Sequence, residues 1–483
     1  MSEPEDPSVP GDTHGDIDTA GIGRSEWLDQ STAAGSVAMS DLGKVLVLRK
    51  LYATDADGIG AIIPLSQSSL RLGRGQKLFG SHLKDSRVSR EHARIDFDSE
   101  RDTHKITDLG SRNGTFVNGR LVRVERIAAG DLIRIGDLVM DVALVSPAYL
   151  GWKPSRESHL LGRSQALWSI HRDIARVAPT TVDVLIFGES GSGKEVVARE
   201  VHRLSRRSGE FVAINCAAIP PDLFESELFG HLKGAFSGAS QAKQGLFRAA
   251  HRGTVLLDEV AELSLAHQAK LLRVLQERAI RPVGATEPIA VDVRVIAATN
   301  VDLDIATKEG RFRDDLLARL RGWTLRLRPL RERRADLLPL ATRTLSAMET
   351  DPPSVITAGF YEALALHSWP ANVRELLQAI RFASIRCEDP EGRLTAQDLP
   401  STVTSPALPP VMSAKVTISE VPPGAIPTRE ELIALMTSYR GRIAEVARHL
   451  GRQRTQVYRW MRQHDIDAEP FRTQGANEEP SSE

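Results

Sequence analysis

The chain has 483 residues, 62 Lys and Arg against 63 Asp and Glu, a formal net charge of -1 and 41% hydrophobic residues. At roughly 150 residues per domain that length implies about three domains, with apolar side chains enough for real cores. Cys216 and Cys387 are too few for a disulfide scaffold and fit a reducing, cytoplasmic setting. No apolar run reaches the ~18 residues of a membrane span, and the N-terminus lacks the pattern of a signal peptide.

The first forty residues carry Glu3, Glu5, Asp6, Asp12, Asp16, Asp18, Glu26 and Asp29 against Arg24, which predicts a disordered acidic tail over 1–43. Over 44–146 come short alternating runs (Ala93-Ile95-Phe97, Ile133-Ile135, Val139-Asp141-Ala143) and an Asn118-Gly119 hairpin signal, which predict an all-β sandwich. Residues 147–158 read as a linker. Over 159–399 the buried-type runs Val182–Phe187, Phe211–Ile214, Thr254–Leu257 and Val293–Ala298 alternate with helical stretches, which predicts a parallel α/β sheet. From about 331 the pattern is helical only. A proline-rich linker covers 400–427. Residues 428–467 hold apolar positions at helical spacing (Leu432, Leu435, Met436, Tyr439; Ile443, Val446, Ala447, Leu450; Val457, Trp460, Met461), predicting a small all-α domain. Its arginines outnumber its acids, so an acidic head and a basic foot cancel in the total charge. Residues 468–483 read as a disordered tail.

The string Gly188-Glu189-Ser190-Gly191-Ser192-Gly193-Lys194-Glu195 follows an apolar strand and opens a helix, the context of a P-loop. Glycines let backbone N–H groups face phosphate oxygens, Lys194 reaches the β- and γ-phosphates of ATP, and the helix N-terminus favours anions. Glu195 stands where many P-loops have a Mg²⁺-binding hydroxyl. Downstream, Val255–Leu257 leads into Asp258-Glu259. Asp258 is suited to Mg²⁺, directly or through water, and Glu259 to orienting the attacking water. Asn300 ends another buried strand and is placed to offer its amide to the γ-phosphate.

These residues resemble the AAA+ ATPase activators of sigma-54 RNA polymerase. Gly234-Ala235-Phe236-Ser237-Gly238-Ala239 is similar to the family's sigma-54-contacting GAFTGA loop, with Ser237 for Thr and with Leu232 where Glu is usual. The resemblance spans nearly all of 159–399 and makes Glu195 typical. It implies that Asn215 restrains the catalytic glutamate, that Arg313 and Arg319 are fingers reaching a neighbouring subunit's ATP, and that Arg374, in a motif with Ala371 for Gly, senses nucleotide from the lid. Fingers shared between subunits imply a homo-oligomeric ring, usually a hexamer. The C-terminal helices resemble a Fis-type helix-turn-helix for upstream double-stranded DNA. Arg454, Thr455, Gln456, Tyr458 and Arg459 then begin the recognition helix.

In the front segment, Gly73-Arg74, Ser89-Arg90-Glu91-His92 and Asn113 through Asn118-Gly119 resemble a forkhead-associated (FHA) domain, a phosphothreonine reader. By resemblance Arg74 and Ser89 hold the phosphate, Asn113 holds the peptide backbone, Arg112 adds charge, Asn118 completes the set and His92 buttresses the loop. A dianionic phosphate asks for that combination of guanidinium, hydroxyl and amides. The ligand is either another phosphorylated protein or the chain's own tail, phosphorylated at Thr13 or Thr19. The expected whole is an ATP-hydrolysing transcription activator that remodels sigma-54 polymerase and takes its signal from a Ser/Thr kinase, in the manner of two-component signalling. A chaperone-type AAA+ protein and a non-catalytic phosphopeptide scaffold fit less of the sequence. The first does not explain residues 234–239, and the second does not explain Lys194, Asp258, Glu259 and Arg319.

Overall fold

A computed structural model describes residues 43–54, 58–153, 155, 157–237, 239–348, 355–404, 432, 443, 446, 447 and 454–463. The acidic tail with Thr13 and Thr19, the proline-rich linker beyond Thr404, the segment 468–483, Gly238 and the Gly451 turn lie outside the described residues. The chain divides into two compact units, Met1–Ala407 and Leu408–Glu483.

The first unit begins with two antiparallel sheets packed face to face. One is six-stranded, in the order Ile62–Pro64, Val45–Tyr52, Leu138–Val145, Leu132–Ile135, Thr115–Val117, Arg120–Val122. The other is four-stranded, in the order Val124–Ile127, Thr103–Asp108, Ala93–Asp98, Leu70–Leu72. Alternate residues such as Leu48, Leu72, Ile95, Ile106, Ile133 and Met140 fill the space between them. Asn118 (φ 49°) and Gly119 (φ 76°) close the hairpin in which Val117 pairs with Arg120. Two positive φ values in a row match the right-handed twist of the flanking strands.

The stretch 147–158 is not a free linker. Tyr149 is buried, lies edge-on to Trp168 with ring centroids 6.1 Å apart, and donates its hydroxyl to the carbonyl of Arg163. Its aromatic surface gains more by packing than the segment loses in freedom.

The α/β domain has five parallel strands in the order Phe211–Asn215, Thr254–Asp258, Arg294–Thr299, Val184–Phe187, Trp323–Arg326. Neighbouring residues of a strand face opposite cores. Val184 and Ile186 pack with Ile170, Ile174 and Val197, whereas Leu185 packs with residues that include Leu271 and Leu316. Both faces are therefore covered, as parallel sheets require. Helix Gln165–Val177 is capped by Ser164, whose neighbour Asp336 is fully buried and accepts from Arg163 N, Ser164 N and Ser164 Oγ at 2.7, 2.7 and 2.8 Å.

Beyond Arg331 three main helices follow, Leu337–Ser346, Ala358–Leu366 and Asn372–Arg386. This part is not helical only: Val355–Ile356 and Arg393–Leu394 form a short parallel ladder, β-branched residues after Pro352-Pro353 favouring extended backbone. The helical subdomain shares one core with the front sandwich. Leu51, Tyr52, Leu132 and Val139 join Tyr361, Leu364, Trp369 and Leu376, and the Tyr52 and Tyr361 rings stack at 5.5 Å and 19°. Around that core Tyr52 donates to the carbonyl of Ile356, and Arg134 pairs with Glu362 at 2.7 Å.

In the second unit, Leu432, Ile443, Val446, Ala447, Val457, Trp460 and Met461 form one buried cluster, the last three from helix Arg454–Gln463.

Candidate active site and flanking binding surfaces

All five sheet strands are parallel, so their carboxyl ends gather at one edge, where ligands bind in such folds. Strand Val184–Phe187 delivers the P-loop there, and helix Lys194–Ser205 begins directly after Gly193 (φ 102°). Gly191 must be glycine: its φ is 71°, and a Cβ would come within 2.2 Å of the Ala371 carbonyl. Lys194 is 6% exposed and donates from Nζ to the Gly188 carbonyl at 3.1 Å. Burial pulls its pKa below the ordinary lysine value, with Asp258 and Glu259 opposing. The Ser192 hydroxyl is buried without a hydrogen-bond partner among the described residues. A cradle with an unpaired hydroxyl, a buried ammonium and glycines held against the lid fits a nucleotide's phosphates.

Beside it, Asn215 pairs in register with Asp258. The Asp258 carboxylate accepts the Glu259 N–H at 3.1 Å, and Glu259 has a left-handed backbone, φ 57°. Such a conformation in a non-glycine residue costs free energy and recurs at functional sites. The side-chain oxygen of Asn215 accepts the Ala217 N–H at 3.0 Å, so here it closes a turn. Asn300 is exposed just past the end of strand Arg294–Thr299. Glu195 sits on the first turn of its helix with its carboxylate bonded to Arg199 at 2.7 Å, so its side chain is directed away from the cradle.

The lid grips the P-loop through Arg374, expected from the sequence, and through Arg331, Arg333 and Asn372, to which no site role was given there. Arg331 forms a two-pronged pair with Glu189 at 2.8 and 3.0 Å, which holds that carboxyl below its usual pKa, with help from Asn372. Asn372, fully buried at φ 56°, donates to Glu189 Oε2 and the Ser190 carbonyl at 3.0 and 3.1 Å while its Oδ1 accepts the Leu330 N–H. Arg333 donates to the Ser192 carbonyl at 3.1 Å, and Arg374 reaches the Ser190 hydroxyl at 3.3 Å. Behind the loop, a cavity of about 340 Å³ runs between Leu160, Leu161, Ile170, Leu340 and Val373, with Ser192 and Gly193 along its wall. Apolar walls with phosphate donors at one end suit a purine base and its phosphates.

Arg313 immediately precedes helix Asp314–Leu320, and Arg319 lies in its last turn. Arg313 is paired with Asp315 at 2.7 Å, and Arg319 lies 3.3 Å from the buried Asp183. In the 234–239 segment, the N–H of Gly234 donates to the Ala239 carbonyl and that of Ala239 to the Phe236 carbonyl. Ala235 is half-buried against Gly284, Ser237 is exposed, and Phe236 is 39% exposed with His231 edge-on at 5.0 Å. A glycine-flanked loop therefore presents an aromatic ring to solvent.

In the sandwich, His92 is fully buried. Its Nδ1 accepts the Ser89 N–H at 3.0 Å and its Nε2 lies 3.0 Å from the Gly114 carbonyl, tying two loops together. A Cβ at Gly73 would meet the Arg90 carbonyl at 2.2 Å, and Arg74 N donates to the Ser89 carbonyl at 3.0 Å. Ser89 Oγ accepts the Arg112 N–H at 3.1 Å, which leaves its own proton to give. Arg74, Arg112 and Asn113 are at the surface, Asn113 donating to the Arg87 carbonyl at 2.7 Å. Asn118 differs from its expected place in this set. It sits at the far end of the hairpin and is spent on Asp131 and the Leu132 N–H at 2.8 and 2.9 Å, a turn-forming role. On the C-terminal helix Arg454, Thr455, Gln456, Tyr458 and Arg459 are exposed, while Val457, Trp460 and Met461 face inward.

Three families match the chain: the sigma-54 interaction domain over 160–326, the FHA domain over 70–136 and the AAA+ ATPase lid domain over 331–412. It is 46% identical over 252 residues to the regulatory protein AtoC of Escherichia coli (51% of this chain, 54% of that protein). It is 46% identical over 253 residues to the DNA-binding transcriptional regulator NtrC of Bradyrhizobium (52% of each). The crystal structure of NtrX from Brucella abortus in complex with ATP is 34% identical, covering 64% of this chain and 70% of that one, at a TM-score of 0.47. The chain spans about half the length of curated relatives such as these two. Matched in order along its length by an FHA domain, a sigma-54 interaction domain and an AAA+ lid, the chain belongs to the family of sigma-54-dependent transcriptional activators with an AAA+ ATPase domain.

Proposed function

We propose that the protein hydrolyses ATP to remodel sigma-54 RNA polymerase at promoters whose upstream DNA it binds, and that its FHA domain reads threonine phosphorylation. The observation that carries this reading is a nucleotide cradle and an exposed aromatic loop on one domain: buried Lys194 beside Asp258 and Glu259, and Phe236 held out between glycines. The P-loop amides and Lys194 bind the phosphates, and the apolar cavity takes the base. Glu259 orients water for in-line attack and accepts its proton. Asn300 and Arg374 contact the phosphates from either side, and Asn215, beside Asp258, restrains Glu259. Asp258 would hold Mg²⁺, directly or through water, and the ion would supply charge neutralisation for the phosphates.

Arg313 and Arg319 act on a neighbouring copy's ATP in a ring, for which a hexamer is the proposed form. Residues 234–239 contact sigma-54, and the exposed face of Arg454–Gln463 enters the major groove of double-stranded DNA. Arg74, Ser89, Arg112 and Asn113 hold the phosphothreonine of a partner protein or of the chain's own tail. Among the described residues no helix is long and apolar enough to cross a membrane, and the cytoplasm is the proposed location. The test is open-complex formation on a sigma-54 promoter by the purified full chain, with ATP, with and without a phosphothreonine peptide. ATP-dependent opening is expected, changed in rate by the peptide. No opening under either condition sinks the reading.

A further inference from the structure

We propose that Asp183 is a positioning residue for the Arg319 finger, an inference that rests on the shared-site reading above. Asp183 immediately precedes strand Val184–Phe187, at the end away from the P-loop, and its side chain is 2% exposed. One carboxylate oxygen, Oδ1, accepts the Val295 N–H at 3.2 Å. The other, Oδ2, has no hydrogen bond among the described residues, yet two guanidinium groups converge on it: Arg319 Nη1 at 3.3 Å and Arg278 Nη2 at 3.7 Å. Both are close enough for ion pairing, but Arg319 is out of line for a hydrogen bond and Arg278 is too far for one.

A buried carboxylate with one bare oxygen is costly unless charge compensates it, so it holds on to its cations. Arg278 is also fixed by the Val293 carbonyl at 2.8 Å. Among the described residues Arg319 has in addition only a long bond to the Leu275 carbonyl, 3.4 Å, and it is 37% exposed. Its guanidinium thus has one edge against Asp183 and other N–H groups toward solvent. A long, rotamer-rich side chain anchored from behind meets a neighbour's phosphate without first paying for its own ordering. The backbone ties the two elements in the same register, since Trp323 N donates to the Asp183 carbonyl at 3.0 Å, three residues past Leu320 that ends the finger helix.

The experiment is ATP turnover by assembled full-length protein. Asp183→Asn is expected to lower kcat by about 10- to 10²-fold, the scale of a displaced catalytic group, with KM for ATP unchanged. Added to Arg319→Ala it should cost nothing more, because Asp183 acts through that arginine. Mixed with Glu259→Ala subunits it should regain turnover, since those subunits bring correctly held fingers. Undiminished kcat, a loss that adds to that of Arg319→Ala, or a loss that mixing does not recover overturns the proposal. If the Asn variant does not assemble, Asp183→Glu, which moves the charge by one methylene, is expected to give the same kcat-only loss, and full activity overturns the proposal. Loss of turnover in Arg319→Ala with none in the Asp183 variants defeats this inference alone. Full turnover in Arg319→Ala defeats the shared site itself.

Discussion

The two sites proposed for phosphate are built on opposite plans. At the P-loop the binding groups are buried: Lys194 is 6% and Ser192 2% exposed, and the lid closes over the loop through Asn372, Arg331 and Arg333. In the sandwich the scaffold is buried and the binding groups are not. His92 is inaccessible, while Arg74, Arg112 and Asn113 stand in water. Burial suits a site that must exclude water and act on a bond, because charges are worth more there. Exposure suits a site that must admit and release a peptide.

The largest predicted effect probes the enclosed plan. Arg319→Ala should bind ATP nearly as the parent does and hydrolyse it about 10³-fold or more slowly, the scale of a lost arginine finger. Equilibrium nucleotide binding and single-turnover hydrolysis separate the two, and mixing with Glu259→Ala subunits should restore part of the rate. A site complete within one subunit would show no recovery.

Arg74→Ala tests the open plan. Loss of one charge-assisted bond of roughly 1.5–3 kcal/mol should weaken a phosphothreonine peptide by about 10- to 10²-fold in calorimetric titration. Raising salt to ~1 M, where screening acts within about 3 Å, should weaken the parent's peptide binding far more than its ATP binding. Equal salt dependence at both sites would break the contrast.

His92→Ala separates scaffold from binding group. It strands the Ser89 N–H and the Gly114 carbonyl, at a cost of about 1–3 kcal/mol each if they stay dry, so thermal unfolding should shift before any ligand is added. An unchanged melting temperature with weakened peptide binding would make His92 a contact residue.

The smallest effect is acid sensitivity of the lid clasp. Arg331 and Asn372 hold the Glu189 pKa below its ordinary value of 4.5, so the contribution is present above about pH 4.5 and is lost as pH falls through the lower folded value. Both partners are over 40% exposed (41% and 42%), which limits the effect to about 1 kcal/mol or less. The melting difference between parent and Arg331→Ala should therefore shrink between pH 7 and pH 3.

Much of this architecture was legible because its signals are local. Four sheet strands show as apolar runs, the P-loop as glycines between strand and helix, and the hairpin as Asn118-Gly119. The fifth strand, Trp323–Arg326, escaped notice because Thr324 and Arg326 interrupt its apolar run among flanking arginines. The lid clasp escaped for a different reason. Asn372 and Glu189 are 183 positions apart and meet only after the chain folds, and nothing in either neighbourhood announces the other. Asn118 misled because an asparagine in a glycine turn can serve the turn or a ligand, and only its partners, Asp131 and Leu132, decide between them.

The packing of Leu51, Tyr52, Leu132 and Val139 into the lid core makes residue 146 a boundary of sequence and not of folding. A chain trimmed to its ATPase would uncover Tyr361 and the apolar residues around it. The FHA domain is a tenant whose wall is also the lid's wall, and it cannot be swapped as a loose bead on a string.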